Sequence, residues 1–351
     1  MSIALRKQKI LAAVIENYIA TGEPVGSKLL QNGDGFNVSS ATIRNELADL
    51  TASGYLRQPH TSAGRVPTEL GYRYYVDNLM TPKPLDEKLR AYVTGRLDRS
   101  ADAPEHVLST AVEVLSELCD TAALATTPTG EQARVYKIKF VPTGRSTSML
   151  VLITSQGMVK SRLFRCDFDI TPAMLNVFDR ALNEKAAGLP LSGVNRAFAQ
   201  TFAAGFGELG LLMPDMLMAL MDACSEAAGV DVYVKGATKL LSQRDYSLAS
   251  ARAVLELLDD NSERGKLLKG IPDDTTIYIG RENLSPALRL SSLVSTGYMI
   301  TGRPAGLLAV ISSVRTDYAS TVSSVEFTAG YVGELIDEIV SGQKGRKVMT
   351  I

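Results

Sequence analysis

Residues 36–79 read FNVSSATIRNELADLTASGYLRQPHTSAGRVPTELGYRYYVDNL. The stretch joins a short helix with a small, polar outer face to a glycine-containing hairpin that carries arginine and histidine. Ser39 or Ser40 can N-cap the helix, because a serine oxygen satisfies an orphan backbone N–H. Ile43, Leu47 and Leu50 fall at i, i+4 and i+7 and form its inward stripe. Ser40, Thr42, Arg44, Asn45 and Asp49 then face outward. Residues 55–58 and 65–66 read as two short strands joined through Pro59 to Gly64. A helix able to enter a major groove, with a basic wing beside it, is what a reader of DNA requires.

The flanking residues complete the unit. Ile10, Leu11, Val14, Ile15, Tyr18 and Ile19 recur at helical spacing, which predicts a helix over 4–20. Thr21-Gly22-Glu23-Pro24 ends it, since glycine suits a C-cap and proline cannot continue the ladder. Residues 25–30 give a second helix, 31–35 a turn, and 70–80 a tyrosine-rich closing helix. The N-terminal part, residues 1–80, therefore reads as a winged helix-turn-helix.

Within it, Arg44 suits guanine and Asn45 suits adenine, each by paired hydrogen bonds. No carboxylate lies three or four residues from Arg44 to occupy it. Ser39, Ser40 and Thr42 offer hydroxyls, beside the N–H groups of a helix start, to phosphates. Arg57, His60, Thr61, Ser62 and Arg65 cluster around Ala63-Gly64, which favours phosphate or minor-groove contact.

A chain of 351 residues exceeds one typical core, so two or three domains are expected. A net charge of −1 confines any DNA surface to a local patch. Three widely spaced cysteines do not make a disulfide framework and fit a reducing cytoplasm. No signal peptide is evident, and the apolar run 209–221, broken by Pro214 and Asp215, is too short to span a bilayer.

Thr81-Pro82-Lys83-Pro84 reads as a semi-rigid linker. Helices at 85–99 and 105–123 lead to an antiparallel meander at 135–141, 149–154 and 159–165. Helices at 172–185, 194–206 and 214–227 follow, then a strand at 230–234 and a helix at 247–258. Strands at 276–280, 289–300 and 306–314 precede a closing helix at 327–340. The body is thus α+β with a helical stretch in its middle. That stretch, 172–227, carries many large apolar residues, Phe202, Met216 and Met218 among them. A few helices cannot easily hide so much, so a twofold interface is expected there.

The phosphate-binding, dinucleotide-binding and α/β-hydrolase signatures are missing. His60 and His106 are the only histidines, and neither has zinc-site spacing to a cysteine. Asp259-Asp260 and Asp273-Asp274 read as solvated turn residues. No catalytic site, metal or cofactor is expected.

Three blocks carry a family resemblance: Thr21-Gly22-Glu23-Pro24-Val25-Gly26-Ser27-Lys28, Val38-Ser39-Ser40-Ala41-Thr42-Ile43-Arg44-Asn45, and Gln58-Pro59-His60-Thr61-Ser62-Ala63-Gly64-Arg65-Val66-Pro67-Thr68. In this order they closely resemble the heat-inducible transcription repressor HrcA family. Gly71-Tyr72-Arg73 and Tyr75-Val76-Asp77 continue the likeness, as do Val232-Tyr233-Val234, Ile279-Gly280-Arg281-Glu282-Asn283 and 306–318 more loosely. One run departs: where the family has Gly-Pro-Thr-Arg-Met, this chain has Ser312-Ser313-Val314-Arg315-Thr316 and keeps only the arginine.

The resemblance implies a bacterial cytoplasmic repressor of chaperone operons. It implies a winged-helix head, a GAF-like α+β domain, and a mostly helical dimerisation domain inserted into it. The corresponding boundaries are 1–80 for the head and 81–165 for the linker helices and first GAF-like part. The insertion is placed at 166–230 and the second GAF-like part at 231–351, with the meander at 135–165 assignable to either part. The implied partners are a double-stranded operator with an inverted repeat, a second copy of the chain, and a chaperonin whose availability sets activity. No membrane is involved. The alternative is a transcriptional regulator gated by a small molecule in the GAF-like domain. An enzyme using its winged helix only for protein contacts would lack every catalytic signature considered.

Overall fold

The computed structural model describes residues 4–32, 38–60, 63–128, 133–268 and 272–342. Of the turn predicted over 31–35, residues 33–35 lie outside them, as do the candidate residues Thr61 and Ser62, while Gln31 and Asn32 extend the second helix instead. The fold mixes helix and sheet, as an α+β chain.

Helix α1 (Leu5–Thr21) buries Ile10, Leu11, Val14 and Ile15 and stops at Gly22, whose φ of 74° lets its N–H reach Tyr18 O at 2.8 Å. Helix α2 (Ser27–Asn32) leads to α3 (Ser40–Ala52), which turns Ile43, Leu47 and Leu50 inward. The N-cap of α3 is Ser39, which decides between the two serines. Strands β1 (Leu56–Arg57) and β2 (Val66–Pro67) pair antiparallel. Helix α4 (Glu69–Asn78) is capped by Thr68, whose hydroxyl also donates to Gly54 O at 2.6 Å.

The hairpin is tied to the loop after α1. Val25 N donates to Arg65 O at 2.9 Å and Arg65 N donates to Val25 O at 2.8 Å. Gly64 makes this approach possible, because a β-carbon there would lie 2.5 Å from the Val25 carbonyl.

Helices α5 (Glu87–Asp98) and α6 (Pro104–Cys119) precede strand β3 (Ala122–Thr126). The chain then builds strands β4 (Val135–Pro142), β5 (Thr147–Thr154) and β6 (Val159–Arg165), followed by α7 (Pro172–Ala186), α8 (Arg196–Ala204) and α9 (Pro214–Ala228). It continues with β7 (Val232–Lys235), α10 (Leu248–Asp259), α11 (Asn261–Leu268), β8 (Thr276–Ile279), β9 (Ser291–Ile300), β10 (Arg303–Ser313) and α12 (Tyr318–Ser341). The main sheet has order β7-β3-β10-β9-β8, with every neighbouring pair antiparallel. On one face Ala123, Ala125, Val294, Leu308 and Val310 pack into a core shared with α6, α12 and the head. On the other, Ala122, Leu124, Leu293, Ala309 and Ile311 pack against α10 and α11. The side-chain alternation of a strand sorts the two sets.

Two expectations need correction, and one helix has no counterpart in the sequence reading. The helix predicted over 105–123 ends at Cys119, where Asp120 takes φ 48°, and β3 follows. Ala122, Ala123, Leu124 and Ala125 are strong helix formers, and burial on both faces erases the polar alternation that marks a half-exposed strand. Helix α12 starts at Tyr318 rather than 327, with Asp317 accepting from Ser320 N at 3.2 Å. Its first turns are rich in Ser and Thr, which reads as loop, yet Thr321, Ser323 and Ser324 are buried. Helix α11 reads NSERGKLL, a polar run ending in two adjacent buried leucines, which gives no helical periodicity.

The meander does not belong with the main sheet. It forms a separate sheet, β4-β5-β6, whose Ile138, Phe140, Leu150 and Leu152 share a core with Phe178, Leu182, Met213 and Leu220. Because β3 pairs with β7, the chain leaves the main sheet at Thr126 and re-enters at Val232. A boundary at 166 cuts through this packed unit. Packing within this unit also hides much of the apolar surface expected to form an interface: Phe202 and Met216 are only 7% and 2% exposed. Met218, at 57%, and Leu211, at 80%, remain outside. Among the described residues no helix is long and apolar enough to cross a membrane.

Candidate nucleic-acid interface

Once Ile43, Leu47 and Leu50 are buried, the helical period leaves Ala41, Arg44, Asn45 and Ala48 as one exposed stripe on α3. Arg44 and Asn45 have no side-chain partner among the described residues. The alanines on either side let a partner surface approach the backbone closely. At the helix start, Ser39 Oγ accepts from Thr42 N at 3.2 Å and lies 3.0 Å from Thr42 Oγ1. Ser40 behaves differently from expectation. Its Oγ lies 3.1 Å from Ser27 Oγ, so it stitches α3 to α2 instead of facing freely outward.

The acids of α3 are drawn away from the stripe by α1. Arg6 Nε donates to Glu46 Oε1 at 2.7 Å, and Lys7 Nζ lies 2.9 Å from Asp49 Oδ2 and 3.7 Å from Glu46 Oε2. Glu46 is buried, while Asp49 is exposed beside Asn45. The hydrogen bond that the Lys7 ammonium donates to Asp49 holds its pKa above the ordinary range. Asp49 is thus engaged with Lys7, which leaves Asn45 free.

In the hairpin, Arg57 and His60 are exposed, and the His60 carbonyl closes the turn by accepting from Ala63 N at 2.9 Å. Arg65 is half-buried, and its Nε donates to Thr51 Oγ1 at 2.9 Å. Arg65 therefore fastens the hairpin to the end of α3. The structure brings Arg44, Asn45, Arg57 and His60 to the surface with no side-chain partner among the described residues, and gives Ser39, Ser40, Thr42 and Arg65 local duties.

The head also meets the body through two arginines that sequence reasoning did not assign. Arg73 on α4 pairs with Glu282, and its Nη2 donates to Ile277 O at 2.5 Å. Arg315 grips Asp245 at 3.0 Å and donates to Ile19 O, at the end of α1, at 2.9 Å. Arg315 is the arginine kept in the otherwise divergent 312–316 run; Ser313 Oγ also donates to Asp245, at 3.2 Å, but Arg315 carries the link on to the Ile19 carbonyl. Tyr72 and Tyr318 pack across the same joint, with ring centroids 5.8 Å apart. A cavity of about 630 Å³ opens beside it, lined by Glu16, Tyr75, Arg244, Asp245 and Asp317 among others.

No group of side chains suited to a metal ion occurs among the described residues. Burial pushes the Cys224 thiol up to about 12, so it is no ready nucleophile.

Comparison with known proteins agrees with this architecture. The family profile described as the HrcA protein C terminal domain matches residues 105–322. The heat-inducible transcription repressor HrcA of Moorella thermoacetica is 34% identical over 340 residues, covering 95% of this chain and 98% of that protein. Its counterpart from Corynebacterium efficiens is 35% identical over 341 residues, covering 94% and 97%. A solved structure described as a hypothetical protein shares the fold, with a TM-score of 0.66 at 22% identity, covering 96% of this chain and all of that one. These relatives are repressors of transcription, not enzymes. The chain belongs to the HrcA family of heat-inducible transcription repressors.

Proposed function

We propose that this repressor acts in the cytoplasm as a homodimer on a double-stranded operator with an inverted repeat. Each head, a winged helix-turn-helix, takes one half-site, so that protein and operator symmetry coincide. The observation that carries the reading is the uncommitted Arg44–Asn45 pair on a stripe flanked by alanines, with the neighbouring acids neutralised by α1. Arg44 and Asn45 read bases; Arg57 and His60, with Thr61 and Ser62, meet the backbone. Footprinting of the purified protein on chaperone promoters tests the reading. Protection of an inverted repeat is expected, and its absence would refute it.

The body is GAF-like, and the unit between β3 and β7 is its inserted dimerisation domain. Leu209 and Leu211 project from the turn that follows α8, while Phe198, Phe202 and Phe206 line an apolar cavity of about 510 Å³. A twofold interface can set such a projection against such a cavity on both sides at once. Leu211→Asp is expected to turn the dimer into monomer in sedimentation equilibrium, and a surviving dimer would move the interface elsewhere.

Arg57→Ala should weaken binding to every sequence alike and lower the salt slope by about one unit. Lost base discrimination with an unchanged slope would assign Arg57 to base reading instead.

Chaperonin availability sets the active fraction. Support comes from the family and from a large multidomain chain whose sheet is interrupted by an insertion, an arrangement prone to slow folding. Operator titration before and after incubation with chaperonin and nucleotide should show the active fraction rising. A fraction already near one would exclude this control. A second reading, gating by a small molecule, has the head–body cavity in its favour. It calls for a ligand that raises the melting temperature and shifts operator affinity together.

A further inference from the structure

Helix α3 carries Glu46 and Asp49 on the element that, in the reading above, approaches a polyanion. B-DNA presents one negative charge per about 1.7 Å of its axis, so an uncompensated carboxylate at this face opposes binding. The two acids differ in how they are handled. Glu46 is removed by burial, with its side chain 8% exposed and Arg6 against it. Asp49 is 61% exposed and lies one turn after Asn45, at the border of the outward stripe. Burial cannot silence it. Among the described residues only the Lys7 ammonium, 2.9 Å away, does so.

Lys7 comes from α1, an element with no place in the outward stripe. Its ammonium faces two carboxylates, Asp49 and, at 3.7 Å, Glu46. With Arg6 it balances both acids, so the net charge that α3 shows outward is that of Arg44. We infer that Lys7 is a positioning residue for operator binding: it acts through Asp49, as the counter-charge that lets a carboxylate sit beside the base-reading stripe. The inference rests on the reading that α3 faces the operator. Lys7 itself makes no operator contact, which separates this role from that of an ordinary phosphate-binding lysine.

The two roles differ in a double-mutant cycle. Operator affinity is measured for Lys7→Gln, Asp49→Asn, the double variant, Lys7→Arg and Arg44→Ala, each with a melting curve to establish folding. Lys7→Gln is expected to lose on the order of three- to tenfold in affinity, as one exposed charge near phosphates would cause, with the loss shrinking as salt screens it. Asp49→Asn alone keeps full affinity, and added to Lys7→Gln it restores affinity to within about twofold. Lys7→Arg binds as the parent does, which also holds the test open if the glutamine variant melts early. A double variant as weak as Lys7→Gln alone would make Lys7 a direct phosphate contact and overturn the inference, as would a weakened Asp49→Asn. If Arg44→Ala binds normally as well, the reading of α3 itself falls, and this inference with it.

Discussion

Gly64→Ala is expected to destabilise the head by about 1–3 kcal/mol, the usual range for atoms forced into a filled space. The added methyl would meet backbone, at 2.5 Å from Val25 C and O and 2.8 Å from Pro24 C. Backbone cannot swing aside as a flexible side chain would. Relief has to come from parting the Val25–Arg65 hydrogen bonds, which moves the whole hairpin. Arg65 would then lose its geometry on Thr51, and the hairpin its fixed angle to α3. Operator affinity should fall together with stability. Urea unfolding combined with hydrogen exchange at the Val25 and Arg65 amides measures both parts. Unchanged exchange at those amides would show that the hairpin is not anchored there.

Arg44→Ala is expected to weaken specific binding by about 1–3 kcal/mol and to relax one operator position. Having no ion pair among the described residues, the side chain contributes little to folding, so the melting temperature should hardly move. That separation is the useful part of the prediction. Loss of affinity with the fold intact assigns Arg44 to base reading. Equal loss on all sequences would make it a phosphate contact, and no loss would remove α3 from the interface. Binding to operators substituted one position at a time distinguishes these outcomes.

The head's elements are legible because their signals are local. Ile43, Leu47 and Leu50 announce a buried stripe within three turns, and Ser39 and Thr68 cap the helices they precede. That Arg44 has no ion-pair partner within its own helix follows from spacing alone. What spacing does not carry is pairing across the chain. Lys7 with Asp49, Arg65 with Thr51, Arg73 with Glu282 and Arg315 with Asp245 join residues on different elements. Ser40 reads as outward from helix position, but α2 lies close enough to claim its hydroxyl. In the body, strand β3 escaped notice because alanines buried on both faces look like helix. The insertion's extent was open for a related reason: a meander of alternating strands fits either sheet until its packing partners are known.

Strand β3 sits between β7 and β10 in the main sheet, and Ala122 pairs with Ile311. A ribosome adding about 5–20 residues per second needs roughly ten to forty seconds to travel from the first of these to the second. Through that interval one side of β3 stays open, an edge able to pair with any other extended chain. The unit between β3 and β7 faces no such wait, since its core comes from one continuous segment. Each newly made molecule therefore carries a finished insertion beside an unfinished sheet. A molecule whose open edge pairs with another chain before β10 arrives is lost to self-association. The supply of repressor is in this sense timed by the chain's own topology, before any operator is met.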